Sequence, residues 1–419
     1  MLNRIKIFLF GFGIVKHLRN QFIKIQSKKA QKHYVKIKKK IDQKSSLCRF
    51  GAYVVFDACF GASELVEIML SNSNNWDVKI VIIPDVSRGT DHLIAQYKKT
   101  REFFVNKYSS EMIIDGYDIE SGKFFDFTDK FDIIYYSNPY DGMVNKIHSI
   151  EYASKQNVLP IYISYGYDIG MVTTFQRLTN KPLNLLWKCY TDTTFSYEDY
   201  KKYQLFGGKN VVLAGYSKMD TLAKHPLKKN RRKRILISPH HTVAMDILPL
   251  SNFLLYHDLI LELPEMFPNV DFVFRPHPLL FTTLVNYGFW TMQQVEEYLQ
   301  AISEKGIEYS VGGDYLQLFA ECDAIINDCG SFTVEWLFTG KPGCFVYSSR
   351  LKEEHLTTLM KKAIEEYEVA HSRNDIIQFI RRVVDDTSNN EYVMKDWVRE
   401  CIAVNYPNVS EYIENDLRK

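Results

Sequence analysis

Two histidines follow a short apolar run that is typical of a buried strand. The run RILIS is followed by Pro239, and the next turn contains His240, His241 and Thr242. Two imidazoles beside a hydroxyl could bind a phosphate or transfer a proton, although one ring could simply be packed. A histidine pair could also bind a metal ion. No third ligand stands at an obvious spacing, and no paired acidic motif ends a strand, so we expect no metal.

Another histidine follows a second apolar run of the same kind. The run DFVF is followed by Arg275, Pro276, His277 and Pro278. Prolines on both sides stiffen the backbone of the histidine. The guanidinium of Arg275 is a planar fork that matches phosphate oxygens. The segment therefore predicts an anion clamp with a proton donor beside it.

A third segment joins the end of an apolar run to the start of a predicted helix. The run DAIIND ends at Asp328, and Gly330 would let the backbone approach a ligand closely. Ser331 or Thr333 would cap the helix, whose first N–H groups could bind phosphate. Glu335, one turn later, could bind the two hydroxyls of a ribose. This pattern predicts a nucleotide-diphosphate site without a P-loop, although an ordinary strand, loop and capped helix would look similar.

Short apolar runs alternate with longer amphipathic runs between these segments, as expected for parallel sheets covered by helices on both faces. The predicted strands are 52–57, 78–84, 131–137, 158–164, 211–215, 234–238, 271–276, 307–311, 323–328 and 343–347. The predicted helices are 91–107, 143–155, 253–266, 292–304, 314–321 and 331–339. The fold class is therefore α/β, with two doubly wound, Rossmann-like domains. Ligands of such sheets bind at the carboxyl ends of the strands, and a cleft between two domains is the natural site.

Composition and charge divide the 419 residues into segments. We predict a basic amphipathic segment at 1–50, an N-terminal α/β domain at 51–223, a basic linker at 224–234, a C-terminal α/β domain at 235–375 and C-terminal helices at 376–419. The seven cysteines include no C-x-x-C pair. Reduced thiols in a cytoplasmic protein are therefore expected.

The basic segment 1–50 carries fourteen Lys or Arg residues and one acidic residue. Apolar residues recur along it at roughly helical intervals: Leu18, Phe22, Ile25, Tyr34 and Ile37. Its apolar start, 5–15, is shorter than the roughly 20 residues that a membrane span needs. A basic amphipathic helix is typical of an anionic membrane surface, and a solvated tail or a nucleic-acid arm is the alternative. No nucleic-acid-binding motif follows, so we expect no nucleic acid.

The order of these motifs resembles the CDP-glycerol glycerophosphotransferase family, the teichoic-acid primases and polymerases. RPHP ends one strand, and about fifty residues later D-x-x-I-x-D leads into a small-Ser turn, a helix and GKP. The segment GYSKMD (215–220) is similar to a glycine-to-aspartate element of the family. The resemblance covers about 160–350 and is strongest over 271–346. The usual two serines after the aspartate are reduced to one, because Gly330 replaces the first.

One family feature is missing from the first domain. Family members typically carry a His-Gly-Thr turn, whose histidine is a candidate base, after a strand of that domain. Here the corresponding place after VLPIYIS reads YGYD and ends at Asp168. The base is therefore Asp168, His240 or His241, or else the acceptor and donor differ from the glycerol-phosphate case.

The resemblance implies a GT-B fold and a peripheral enzyme on the inner face of the cell membrane. It would move glycerol or ribitol phosphate from a CDP-linked donor to a hydroxyl of a surface polysaccharide or teichoic-acid-like polymer and release CMP. The N-terminal domain would hold the glycan or polyol-phosphate acceptor, and the C-terminal domain would hold the donor. No cofactor is expected.

The same resemblance assigns roles to individual residues. His277 and Arg275 would meet the charge of the leaving CMP. The donor site would consist of Arg275, Asp328, Gly330, Ser331, Thr333 and Glu335. The alternatives are a GT-B glycosyltransferase that uses a nucleotide sugar for capsule or lipopolysaccharide synthesis, and an inactive glycan-binding scaffold. The turn with Ser331 and Glu335 also resembles the nucleotide-binding turn of UDP-sugar 2-epimerases.

Overall fold

The structure is a computed structural model that describes residues 2–228, 232–312, 315–386 and 392–419, with the backbone alone for 2–16. The chain forms two compact units. Unit 1 consists of Met1–Gly166, Phe175–Lys218 and Val404–Lys419, and unit 2 consists of Tyr167–Thr174 and Met219–Ala403. Part of the predicted linker, 229–231, lies outside the described residues.

The strands form one parallel sheet in each unit. Their bounds are β1 (Cys48–Val54), β2 (Trp76–Ile82), β3 (Ile113–Asp115), β4 (Tyr117–Asp118), β5 (Lys123–Phe124), β6 (Ile133–Tyr136), β7 (Leu159–Ile163), β8 (Lys188–Thr191), β9 (Val211–Leu213), β10 (Arg234–Ser238), β11 (Asp271–Phe274), β12 (Glu308–Tyr309), β13 (Ala324–Asn327), β14 (Gly343–Val346) and β15 (Glu368–Ala370). The order is β3-β2-β1-β6-β7-β8-β9 in unit 1 and β12-β11-β10-β13-β14-β15 in unit 2. Only the small β4–β5 pair, among the strands the structure describes, is antiparallel.

The helices cover the sheets. Their bounds are α1 (Leu2–Asp42), α2 (Ser63–Ser71), α3 (Thr90–Lys107), α4 (Ile150–Ala153), α5 (Met171–Thr179), α6 (Lys181–Leu185), α7 (Thr194–Tyr203), α8 (Phe253–Met266), α9 (Leu280–Asn286), α10 (Met292–Glu304), α11 (Tyr315–Glu321), α12 (Gly330–Glu335), α13 (Thr358–Ile364), α14 (Arg373–Asp385), α15 (Asp396–Cys401) and α16 (Val409–Arg418). In unit 1 the sheet is buried on both faces. Ile80 and Ile82 pack in one apolar cluster, and Val81 and Ile83 pack in another.

The predicted α/β class is confirmed, and each predicted strand overlaps a strand of one of the two sheets. The predicted helix over 143–155 is wrong. Asn145 accepts a hydrogen bond from the Ile147 N–H, and Ser149 accepts one from the Tyr152 N–H. Each of these side chains caps a new turn, so two short helical turns replace one continuous helix.

One face of helix α1 packs against the rest of unit 1, and another face is exposed to solvent. Tyr34 is fully buried, and its hydroxyl donates to the Leu185 carbonyl. In contrast, Leu18, Phe22 and Ile25 are 62%, 57% and 51% exposed. In the part of the chain that the structure describes, every helix is too short or too polar to span a bilayer.

The chain returns to unit 1 after it has built unit 2. Residues 404–419, which the sequence grouped with the C-terminal helices, belong to unit 1, where α16 packs beside α2. The Trp76 indole donates to the Glu414 carboxylate at 2.8 Å. Gly215, the first residue of the glycine-to-aspartate element, has a φ of +99°, and a Cβ there would overlap the Val404 carbonyl. That glycine is needed for the close approach of the returning chain.

Candidate functional site

The three motifs of the second domain come together at one edge of the unit 2 sheet. Strands β11, β10 and β13 are neighbours, with Ile237 opposite Phe274 and Ser238 opposite Asn327. The loops that follow them therefore leave the sheet side by side. The His277 N–H donates to the Pro239 carbonyl at 2.9 Å, which ties two of the loops together.

Three imidazole rings form a cluster where these loops meet. The ring centres of His241 and His277 are 4.1 Å apart, and the rings are stacked at 23°. The His240 centre lies 4.4 Å from that of His241 and 4.9 Å from that of His277. The structure thus joins a histidine pair and a third histidine more than thirty residues away in the sequence.

Burial keeps these rings neutral at pH 7. Burial, and then the charge of His241, lower the pKa of His277 to about 3. Burial and the two neighbouring rings hold the pKa of His240 well below its usual range. The pKa of His241 is also lowered by burial. A charged ring would lose hydration, and two charged rings would repel each other, so the cluster presents uncharged nitrogens.

Local hydrogen bonds orient two of the rings. The His277 Nδ1 accepts from the Leu279 N–H at 3.1 Å, so its Nε2 carries the ring hydrogen. The His240 Nδ1 lies 3.0 Å from the Thr242 hydroxyl oxygen. The His241 Nδ1 is buried and has no hydrogen-bond partner in the described part of the chain.

Asp328 fixes the backbone beside the histidine cluster. Its two carboxylate oxygens accept hydrogen bonds from the backbone N–H groups of His240 and Asn252, each at 2.6 Å. Burial raises the pKa of Asp328 to about 7, although both N–H groups favour the charged form. The carboxylate therefore fixes the loop after β10 and the start of α8, and Asn252 is a positioning residue that sequence spacing did not reveal.

The guanidinium of Arg275 lies at the rim of the same edge. It donates to the Ser310 hydroxyl at 2.7 Å and to the Gly312 carbonyl at 2.8 Å. Its central carbon lies 5.6 Å from the centre of the Tyr315 ring. These contacts hold the guanidinium plane in place, and a planar guanidinium matches the geometry of phosphate oxygens.

The predicted caps of α12 are not found. Cys329 is the cap residue, and no side chain caps the helix. The Thr333 hydroxyl is fully buried. It lies 2.8 Å from both the Asn327 side-chain oxygen and the Cys329 carbonyl oxygen, either of which can accept its one hydrogen. Ser331 is half-buried on the first turn. The helix starts one residue earlier than predicted, and Ser331 and Thr333 lie inside it, where a side chain cannot cap.

Glu335 lies inside the unit. Its side chain is 1% exposed, and its carboxylate accepts a hydrogen bond from the Tyr315 hydroxyl. Its predicted contact with a ribose stays a prediction.

Gly330 makes room for a protein side chain. A Cβ at this position would overlap the Ile169 Cδ1 atom. Ile169 follows Asp168 in a segment, 167–174, that belongs to unit 2. The Thr357 hydroxyl donates to the Asp168 carbonyl at 2.8 Å, and the Thr357 N–H donates to the Ile169 carbonyl at 3.0 Å. The half-buried Asp168 is thus the neighbour of a residue that packs on the turn after Asp328.

The lysine of the GKP motif, Lys341, stabilises the end of helix α11. Lys341 is buried, and its ammonium donates to the carbonyls of Phe319, Ala320 and Cys322 at the end of α11. Burial lowers the pKa of Lys341 to about 8. A cation at a helix C-terminus satisfies carbonyls that have no partner within the helix. The motif therefore anchors α11, which carries Tyr315.

No protein-family model matches the sequence. No curated protein is significantly similar to it. Among solved structures, a variant of the wall teichoic acid polymerase TagF soaked with CDPG is similar over 96% of this chain and 97% of that one, with 12% identity and a TM-score of 0.58.

Two other similar solved structures are a UDP complex and a UDP-GlcNAc 2-epimerase. The UDP complex of S. aureus MnaA has 13% identity and a TM-score of 0.54 over 89% of this chain and 96% of that one. The UDP-GlcNAc 2-epimerase from Methanocaldococcus jannaschii has 11% identity and a TM-score of 0.52 over 88% of this chain and 100% of that one. At such identities a likeness shows the fold alone. The chain therefore has the GT-B type of fold that these proteins share.

Proposed function

We propose that this chain is a transferase that moves a polyol phosphate from a CDP-linked donor to a hydroxyl of a surface polysaccharide or teichoic-acid-like polymer. The observation that carries the proposal is the cluster of His240, His241 and His277 with Arg275 at the carboxyl edge of the unit 2 sheet. Ligands of open α/β sheets bind at that edge. The similarity in fold to a polymerase structure soaked with CDPG supports the cytidine nucleotide.

In the proposed reaction, an acceptor hydroxyl attacks the phosphorus that carries the polyol. The bond from that phosphorus to the CMP oxygen breaks, and Asp168 takes the hydroxyl proton. Aspartate serves in this way in protein kinases. The charge on the departing CMP is stabilised by Arg275 and by the ring hydrogen on the His277 Nε2. Phosphoryl transfer depends mainly on positioning and on charge stabilisation, which a rigid cluster on braced loops supplies.

Several contacts support this distribution of roles. Asp168 stands where the resembled family carries its candidate base, and its neighbour Ile169 packs on Gly330. His241 is the second candidate for the base, because its Nδ1 has no partner among the residues described. Ser331 would face the donor phosphates, and the buried Asp328, Thr333 and Glu335 would support the turn that carries it.

A nucleotide-sugar reaction is the second candidate function. The similar structures include a UDP complex and a UDP-GlcNAc 2-epimerase, and this observation favours a uridine nucleotide. The released nucleotide distinguishes the two candidates. The purified chain should be incubated with CDP-glycerol, CDP-ribitol and UDP-, GDP- and CMP-sugars, each with a crude glycan acceptor. CMP from a CDP-polyol alone supports the proposal, and UDP or GDP would replace it with glycosyl transfer. No release from any donor would favour a binding scaffold.

Replacing His277 with alanine is expected to lower the rate of CMP release by about 10²–10⁴-fold, because the leaving charge loses its donor. The measurement is steady-state CMP release from the active CDP-polyol. His371→Ala is the matched control, since His371 is an exposed histidine of the same unit. A His277→Ala rate close to that of the control would remove His277 from the site.

We also propose that α1 binds an anionic membrane surface through Leu18, Phe22 and Ile25. These side chains recur at helical spacing, remain exposed, and are surrounded by basic residues. Buried apolar area and attraction to anionic headgroups together bind such helices. This placement would bring the enzyme to a membrane-bound acceptor.

The membrane proposal predicts sedimentation with vesicles that contain phosphatidylglycerol, and weaker sedimentation at high salt. Changing Leu18, Phe22 and Ile25 together to serine is expected to weaken binding by about tenfold or more. Val35→Ser is the control, because Val35 is an exposed apolar residue of the same helix. Equal binding by the triple variant and the control would contradict the proposal.

A further inference from the structure

The three imidazoles of the cluster are close enough to share one ion. Each ring offers a nitrogen, and the three nitrogens lie within 4.8 Å of one another. We propose that His240, His241 and His277 form a binding site for a single divalent transition-metal ion, with Zn²⁺ as the best match. Three histidines with an open fourth position are a common ligand set of catalytic zinc sites.

The donor set fits this ion in chemistry and in rigidity. Three nitrogens at the usual zinc distance of about 2.0–2.1 Å lie roughly 3.4 Å apart. The nitrogens lie within 4.8 Å of one another, so the stacked rings of His241 and His277 would turn about their side-chain bonds to bring them to that spacing. The backbone itself is restrained by Pro239, by the prolines on both sides of His277, and by the bond from the His240 N–H to Asp328.

The hydrogen bonds around the rings leave suitable nitrogens for the ion. The His240 Nδ1 can donate to the Thr242 hydroxyl, which leaves its Nε2 for the metal. The buried His241 Nδ1 has no partner among the described residues, and an ion would supply one. Ligation by the His277 Nε2 would move the ring hydrogen to Nδ1 and end the bond from the Leu279 N–H. That bond is exposed, so the amide could bond to water instead.

The sequence predicts no metal because its spacing shows only a pair of histidines. The third ligand, His277, follows β11, which is the neighbour of β10 in the sheet. The ion's open position would accept a phosphate oxygen of the donor, and this part alone rests on the proposed function. The ion would then stabilise the developing charge that is otherwise left to Arg275 and the ring hydrogens.

The test is a titration of the full chain with Co²⁺, a spectroscopic substitute for Zn²⁺. The protein is purified without a polyhistidine tag and stripped with a chelator. We expect one Co²⁺ per chain, with the intense visible absorption of a tetrahedral nitrogen site, and loss of that absorption when Zn²⁺ is added. His241→Ala and His277→Ala are each expected to weaken binding by about a hundredfold, whereas His371→Ala leaves it unchanged.

Both variants replace half-buried rings, and thermal unfolding followed by circular dichroism checks that they remain folded. Absence of the Co²⁺ spectrum in the wild-type chain would overturn the proposal. So would equal binding by the wild type and both folded variants. Neither readout uses a nucleotide donor, so a failed donor assay leaves the metal result intact.

Discussion

Gly330→Ser is expected to destabilise the chain by about 1–3 kcal/mol, which is the typical range for a side chain forced into occupied space. A Cβ at this position overlaps the Ile169 Cδ1 atom, and α12 begins at this residue. Either the segment 167–174 must shift or the turn after Asp328 must open. The measurement is the free energy of unfolding in urea. Donor turnover should fall as well, because Asp168 precedes the displaced residue.

The double variant Ile169→Ala with Gly330→Ser tests the cause. If overlap is responsible, removing the isoleucine side chain should recover most of the loss, and the two changes should be strongly non-additive. Gly142→Ser is the control, since a Cβ there meets nothing within 4 Å. Additive effects would show that the destabilisation of Gly330→Ser arises elsewhere than at Ile169.

Asp328→Asn is expected to cost about 2–4 kcal/mol of stability and most of the activity. The two carboxylate oxygens accept N–H groups of His240 and Asn252. An asparagine places an NH₂ group against one of those N–H donors, so one hydrogen bond is lost and two donors face each other. A buried donor without an acceptor costs about 1–3 kcal/mol, and the mismatch adds to that. Thermal and urea unfolding measure the loss.

A second measurement distinguishes this positioning role of Asp328 from a direct role in catalysis. If Asp328 positions His240, the variant should also weaken Co²⁺ binding by the three histidines, although Asp328 supplies no ligand. Asp396→Asn is the control, because its side chain is 88% exposed. An Asp328→Asn protein with normal stability and unchanged Co²⁺ binding would contradict the positioning role of Asp328.

The sequence predicted the strands of unit 2 well because buried parallel strands are short, apolar and bounded by turn residues. It also identified RPHP and the pair His240 and His241 as strand-end motifs. It could not place His277 beside that pair, since their adjacency depends on β10 and β11 being neighbours in the sheet. Strand order is a property of packing, and no local pattern encodes it.

The orientation of α12 was the least predictable part of the site. Ser331, Thr333 and Glu335 have the right residue types for a nucleotide site. A helix turns by about 100° per residue, so the packing of α12 decides which of these three side chains face the strand-end loops and which face the interior. Thr333 and Glu335 face the interior, where they contact Asn327 and Tyr315. The strands β8 and β15 escaped notice because they are short and partly polar.

The return of the chain to unit 1 sets an order for folding during synthesis. Helix α16 contributes Val409, Ile413 and Leu417 to the core beside β1 and β2, yet the ribosome makes it only after all of unit 2. Until then the nascent unit 1 must leave that part of its core open to water. Unit 2, whose sheet is complete by Ala370, can close first. Unit 1 is therefore expected to become resistant to proteases on the ribosome later than unit 2.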